Sequence, residues 1–146
     1  MKLTTKTRYG SRAMLDLALH ADSRPASLRE IAGRQGLSPK YAEHLLAALQ
    51  EAGLVQAVRG AHGGYRLARP ASEINLRQIY DALEGSGPFV ECSTAEGACS
   101  RAESCVTREV WTEMFNAAMQ VLERTTLAEL KHRAREKLDA MLTYQI

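Results

Sequence analysis

The chain of 146 residues has few aromatic side chains and no long apolar run. No stretch approaches the roughly 18 apolar residues that a membrane-spanning helix needs. The first eight residues also lack the apolar centre of a signal peptide. With one Trp and two Phe against 45% hydrophobic residues overall, the expected core is aliphatic. We therefore expect one cytoplasmic globular domain, or one domain with an appended helix, and no contact with a membrane.

Enzyme signatures are missing as well. The chain has no P-loop, no dinucleotide-binding fingerprint and no nucleophile–base motif. Its cysteines do not form the C-x-x-C pair that thiol redox enzymes use. The sequence therefore predicts a protein that is not an enzyme.

The two halves of the chain differ in charge. Residues 1–70 contain 11 Lys and Arg against 5 Asp and Glu, a net +6, whereas residues 71–146 contain 8 against 12, a net −4. A basic half is expected where the surface faces a polyanion such as DNA. A solvated surface without a partner would have the same charges, so this pattern leaves both interpretations open.

The basic half has the order of signals that is typical of a winged helix-turn-helix. A first helix is expected from Thr7, its predicted N-cap, to Ala21. Ser27 then begins a capping box, and the short helix that follows ends at Gly36. Ser38 and Pro39 start a second helix of the motif, with the proline at a position where its missing N–H costs nothing.

A hairpin is expected directly after this motif. Residues 54–59 and 65–68 have strand character, and the Gly-rich segment 60–64 between them predicts a tight turn. A hairpin at this position would be a wing, with Arg59 and Arg66 placing positive charge on either side of its turn.

The second half is expected to be mostly helical. Asn75 is a predicted cap of a short helix, and a longer helix is expected from about Cys105, interrupted and recapped at Thr125-Thr126. Its apolar stripe comprises Val106, Val110, Met114, Ala118, Val121 and Leu122, and continues after the interruption with Leu127, Leu130, Ala134, Leu138 and Met141. Such a stripe needs a partner surface, either its own domain or a second subunit.

Three cysteines lie between a Gly- and Ser-rich break and the long C-terminal helix, and they are the only ones in the chain. Six residues separate Cys92 from Cys99, and five separate Cys99 from Cys105. Thiolates bind soft iron or zinc, and a Gly-rich loop can fold three of them around one metal site. From the spacing alone, free thiols remain the alternative.

Five segments resemble the Rrf2 family of bacterial regulators, and within it most closely the IscR type. They are 6–10, 28–32, 37–41, 52–55 and, most specifically, the wing segment 58–67 (VRGAHGGYRL). The resemblance implies a homodimeric winged-helix transcription factor, usually a repressor, that binds a double-stranded DNA operator. It also implies an iron–sulfur cluster that senses iron–sulfur, iron, redox or nitric oxide status.

The resemblance assigns base recognition to the helix that begins at Ser38, and a minor-groove contact to Arg59. The DNA-binding residues it implies are Ser38, Lys40, Tyr41, Glu43, His44, Arg59, His62 and Gly63. His44 stands where the closest relatives have Gln, Lys40 replaces a smaller polar residue, and His62 stands where a glycine is common. Because His cannot copy the two hydrogen bonds of Gln to adenine, a different operator preference is expected.

The cluster ligands that the resemblance implies are Cys92, Cys99 and Cys105. In IscR a His follows the last cysteine by three residues, but this chain has Arg108 there, and a guanidinium that stays protonated is not a ligand. Other members take a ligand from the partner's first helix, at positions that correspond to Arg8 and Arg12. The remaining choices are a local carboxylate (Glu91, Glu96 or Glu103), an exogenous molecule, or an open iron. We hypothesise a 4Fe–4S cluster rather than 2Fe–2S, because three thiolates leave one iron site free.

Taken together, we predict a mainly α fold with a small β-hairpin. Residues 1–84 would be the winged helix-turn-helix domain, 85–105 the cysteine-rich cluster loop, and 106–146 the dimerisation helix with a C-terminal segment that packs back on the domain. The alternative is a cluster-free regulator, controlled by a partner protein as in the CymR type, or by thiol or structural zinc chemistry.

Overall fold

The computed structural model describes residues 3–87 and 99–144, which form helices and one hairpin. This confirms the predicted mainly α fold with a winged helix-turn-helix. In chain order the elements are α1 (Thr5–His20), α2 (Leu28–Gln35), α3 (Pro39–Glu51), β1 (Val55–Val58), β2 (Gly64–Leu67), a 3-10 turn (Ala71–Glu73), α4 (Leu76–Glu84), α5 (Val106–Arg124) and α6 (Leu127–Thr143).

Most helices begin where the sequence placed their caps. Ser27 and Asn75 each form a complete capping box, and the hydroxyls of Ser38 and Thr126 accept backbone N–H groups in the first turn of α3 and of α6. The first helix differs from the prediction. Its N-cap is Thr4, whose hydroxyl accepts the N–H of Thr7. The helix therefore starts one turn earlier than its apolar pattern indicated.

The hairpin is anchored to the segment that precedes α2. Strands β1 and β2 pair antiparallel, with Val55 opposite Leu67 and Val58 opposite Gly64. The N–H of Tyr65 donates to the carbonyl of Ala26 at 2.8 Å, and the N–H of Ala26 donates to the carbonyl of Tyr65 at 2.9 Å. Since a two-stranded hairpin is only marginally stable alone, this bridge fixes the wing to the helix-turn-helix.

One core joins α1, the helix-turn-helix, the hairpin and α4. It contains Met14 and Leu17 of α1, Ile31 of α2, Leu46 and Leu49 of α3, and Ile79 of α4, all buried. Leu127, the first residue of α6, is also part of it, and α6 packs against α1 and the 3-10 turn. Within the described residues, no helix combines the length and apolarity that crossing a membrane requires.

The long helix α5 buries a residue outside the predicted apolar stripe and leaves most of that stripe exposed. Met119 on one face is buried, and α5 packs against α4. Val106, Val110, Met114 and Val121 on the other face are 70%, 56%, 38% and 47% exposed. Four of the six predicted stripe residues on α5 therefore form an exposed apolar surface.

Candidate DNA interface and cysteine site

The residues predicted to contact DNA lie mainly on the exposed side of α3. The hydroxyl of Ser38 caps the helix by accepting the N–H of Tyr41 at 3.2 Å. Lys40, Glu43 and His44 are exposed. The first two turns of α3 thus present an amine, a carboxylate and an imidazole, side chains that can bind base edges or phosphates. Their contact with DNA stays a prediction.

Tyr41 is placed differently from its neighbours. It is half-buried, and its ring lies edge-on against Tyr9 of α1, with the ring centroids 6.2 Å apart and the planes at 86°. Among the residues that the structure describes, the buried Tyr41 hydroxyl has no hydrogen-bond partner. Tyr41 therefore packs against α1 instead of extending freely from α3 as its exposed neighbours do.

The start of α1 carries a group of side chains that the sequence did not single out as a unit. The guanidinium groups of Arg8 and Arg12 lie 5.5 and 5.4 Å from the centroid of the Tyr9 ring. Arg12 also donates to Gln35, to its side-chain oxygen at 3.0 Å and to its carbonyl at 3.3 Å. Because Gln35 is the last residue of α2, these contacts join α1 to the turn before α3.

A buried ion pair fixes α2 on α1. Arg34 donates two hydrogen bonds to the carboxylate of Asp16, at 2.8 and 2.7 Å, and Gln35 donates a third at 3.0 Å. The bonds to Asp16 raise the pKa of Arg34. Sequence reasoning missed this pair, although a signal existed. Asp16 stands between Met14 and Leu17 on the apolar face of its helix, where a charge needs a partner.

The wing presents its charged tip to solvent. Arg59 and His62 are exposed. Gly63 lies so close to the backbone that a Cβ at this position would come within 2.2 Å of the carbonyl oxygen of Val58. Only glycine fits there without a shift of the turn. Gly63 therefore shapes the tip that carries Arg59.

Of the three predicted cluster ligands, Cys99 and Cys105 fall within the described residues. Both are half-buried free thiols, whereas Cys92 lies outside the described residues. Cys99 accepts the N–H of Ala102 at its carbonyl, at 3.1 Å, which starts the turn leading to Cys105. Cys105 is the N-cap residue of α5. The turn and the helix start thus hold the two thiols in one short segment.

Cys105 is in a setting that favours the thiolate. Its Sγ lies 3.2 Å from the hydroxyl of Thr107. Hydrogen bonds from Thr107 and from the backbone of Arg108 lower the pKa of the Cys105 thiol. Iron and zinc bind cysteine as the thiolate, so the chemistry of this donor fits a metal site.

Arg108 does not complete such a site. Its Nη1 donates to the carbonyl of Ala102 at 3.1 Å, and its buried Nε has no hydrogen-bond partner within 3–87 and 99–144. The guanidinium therefore fastens the turn before Cys105 to α5. Glu103 is exposed, and Glu91 and Glu96 lie outside the described residues. Across 3–87 and 99–144, no three His, Cys, Asp or Glu side chains are grouped so that they could hold a metal ion.

Known proteins match almost the whole chain. A family model, Rrf2, described as an iron-dependent transcriptional regulator, matches residues 3–133. Protein Rrf2 of Nitratidesulfovibrio vulgaris is 44% identical over 130 residues, covering 89% of this chain and 87% of that protein. The structure of T. potens IscR is similar with 42% identity and a TM-score of 0.78, covering 94% of this chain and 90% of that chain. The structure of CymR of B. subtilis, described as the global cysteine regulator, is similar with 37% identity and a TM-score of 0.76. The match covers 91% of this chain and 98% of that chain.

Proposed function

Because this chain belongs to the Rrf2 family of transcriptional regulators, we propose that it is a cytoplasmic homodimeric repressor controlled by an iron–sulfur cluster. Members of this family are regulators rather than enzymes, in agreement with the missing enzyme motifs. The proposed DNA surface comprises α3 and the wing, with the residues Ser38, Lys40, Tyr41, Glu43, His44, Arg59, His62 and Gly63. The proposed cluster ligands are Cys92, Cys99 and Cys105.

The observation that carries the proposal is the position of the cysteine stretch in the fold. It follows α4, whose last residues contact α1, and it ends at Cys105, the N-cap of α5. Residues 85–105 therefore connect the proposed DNA-binding unit, 1–84, to the proposed dimerisation unit, 106–146. A change within this stretch can alter the placement of two recognition helices, which have to lie about one DNA turn apart.

The described thiols support a cluster with an open iron. Hydrogen bonds lower the pKa of the Cys105 thiol, and Arg108 is bonded to the carbonyl of Ala102 instead of serving as a fourth ligand. When bound, a cluster of this kind supplies an iron that is open to small ligands and a charge that changes with oxidation state. Three thiolates favour 4Fe–4S over 2Fe–2S. The missing fourth ligand also supports the alternative, because a regulator without a cluster needs none.

Metal and sulfide analysis of protein purified without oxygen tests the cluster. We expect iron and acid-labile sulfide in equal amounts, near four of each per chain, with a Mössbauer spectrum typical of 4Fe–4S. The Cys99→Ala variant should lose both, whereas Ser100→Ala, an exposed neighbour in the same turn, should retain them. Zinc without sulfide would support structural zinc, and metal-free protein that still binds DNA would support the cluster-free alternative.

Operator binding tests whether the cluster controls the affinity for DNA. We expect the affinity for a DNA fragment obtained by in vitro selection to differ by about tenfold between the cluster-loaded and cluster-free forms. Equal affinities of the two forms would contradict control by a cluster, although DNA binding itself would stand.

The wing can be tested at Arg59. Arg59→Ala should lower operator affinity by about tenfold and reduce the salt dependence of binding, because a cation near the phosphates is lost. Arg135→Ala on α6 removes the same charge from an exposed site outside the proposed DNA surface and should leave both unchanged. Binding by the Arg59 variant that equals the wild type at every salt concentration would show that the wing lies off the DNA.

A further inference from the structure

The last residues of α4 dock on the first turns of α1. Leu83 occupies the space beside Gly10, where a Cβ would lie 2.2 Å from the Leu83 Cδ1 atom. The absence of a side chain at Gly10 therefore lets the end of α4 approach the α1 backbone closely.

A carboxylate strengthens this contact. Glu84 Oε1 accepts hydrogen bonds from the hydroxyls of Thr4 and Thr7, the latter at 2.6 Å. Desolvation raises the pKa of Glu84, but the bonds from Thr4 and Thr7 lower it more, and the net pKa lies below the ordinary value. The carboxylate also lies at the N-terminus of α1, where negative charge is favourable. Glu84 thus joins the two helices as an anion.

The opposite end of α4 is joined to the junction between α5 and α6. The N–H of Leu76 donates to the carbonyl of Thr125 at 3.0 Å, and the N–H of Leu127 donates to the carbonyl of Ile74 at 2.8 Å. A bridge also pairs Asn75 with Thr126. Helix α4 is therefore fixed by hydrogen bonds at both ends, to the α5–α6 junction at its start and to α1 at its end.

The docked part of α1 also contacts the recognition helix. Tyr9, next to Gly10, lies against Tyr41 of α3. Three residues further on, Arg12 is bonded to Gln35, the last residue of α2, directly before the turn that leads to α3. Helix α1 is therefore in direct contact with the proposed base-reading surface, and a displacement of α1 by the end of α4 would also displace that surface.

We propose that Glu84, with Leu83, is the positioning contact through which the state of the cysteine stretch reaches the recognition helix. This inference rests on the proposed function, because it names the contact through which the cluster would change operator affinity. The stretch begins directly after Glu84, so a pull on the chain at Gly85 acts first on this contact. When the contact holds, α1 and the rings of Tyr9 and Tyr41 follow α4. When it is released, α1 loses its connection to the cysteine stretch through α4.

The test compares cluster-loaded and cluster-free full-length protein on the DNA fragment obtained by in vitro selection. The wild type should show a ratio of affinities of about tenfold, and Glu84→Ala should reduce this ratio to below about threefold. Its cluster spectrum and iron content should match the wild type, since Glu84 is not a proposed ligand. Glu84→Gln keeps an oxygen that accepts from both threonines and should restore at least half of the ratio on a logarithmic scale. Glu73→Ala, an exposed carboxylate on the 3-10 turn, is the matched control and should leave the ratio unchanged.

A purely structural role for Glu84 would lower the thermal midpoint and leave the ratio as in the wild type, and that result would overturn the proposal. A wild-type ratio near one would instead contradict the proposed function, and the inference would fall with it. Hydrogen exchange of the wild type gives a second measurement that needs no variant. Amide protection in the first two turns of α1 should differ between the loaded and cluster-free forms, and equal protection there would also overturn the proposal.

Discussion

A carboxylate buried among apolar side chains is costly unless donors surround it, and Asp16 has three hydrogen bonds from two residues of α2. Asp16→Asn should therefore lower the free energy of unfolding by about 2 kcal/mol. This is less than the roughly 3–5 kcal/mol for breaking a fully buried pair, because the Arg34 side chain is 32% exposed. Urea unfolding followed by circular dichroism measures the difference.

The matched control is Asp22→Asn. Asp22 also pairs with a cation, Lys131, but its side chain is 67% exposed, and exposed pairs contribute about 0–1 kcal/mol. Equal losses of unfolding free energy in Asp16→Asn and Asp22→Asn would show that burial does not set the strength of the Asp16 pair.

The residues that the sequence predicted correctly act locally. Ser27 and Asn75 bond to backbone groups within three residues, so a short pattern is enough to recognise a cap. The contact of Glu84 with Thr7 spans 77 positions, and that of Arg34 with Asp16 spans 18. Such pairs depend on how helices pack, which the pattern of a single segment does not contain. For the same reason Tyr41 was predicted only as a DNA-binding residue, and its contact with Tyr9 was missed.

The wing depends on one glycine for its attachment to the rest of the domain. Gly64 has a φ of +155°, and a Cβ there would lie 2.4 Å from the carbonyl oxygen of Ala26. Gly64→Ala has to push β2 away from Ala26 and weaken the pair of hydrogen bonds between Ala26 and Tyr65. We expect a loss of about 2 kcal/mol in unfolding free energy, measured by urea unfolding, together with weaker operator binding.

Gly33→Ala is the control for this substitution. Gly33 lies inside α2, and apart from the backbone of this helix no described atom lies within 4 Å of the position that a Cβ would take. Alanine should therefore stabilise the helix by up to about 1 kcal/mol. The change in unfolding free energy should therefore have opposite signs in Gly64→Ala and Gly33→Ala. A neutral Gly64→Ala would mean that the hairpin can move away from Ala26 without cost.

For the whole molecule, the exposed apolar face of α5 bears on whether the protein acts as a single chain or as a dimer. Val110 and Met114 lie on this face with Val106 and Val121, all at least 38% exposed. A contiguous apolar helix face of this kind marks an interaction surface, and our proposal assigns it to a second copy of the chain. Val110→Asp would place a charge in that interface and should convert the dimer to a monomer in sedimentation experiments.

Loss of the dimer should have a large effect on DNA binding, because two linked recognition helices bind two half-sites as one unit. Operator affinity of Val110→Asp should fall on the order of a hundredfold, with circular dichroism unchanged since Val110 is not in the core. Asn116→Asp adds the same charge to an exposed position on another face of α5 and should remain dimeric. A dimeric Val110→Asp protein would place the subunit interface elsewhere. The apolar end of α6, where Leu138 and Met141 are exposed, would then be the next surface to test.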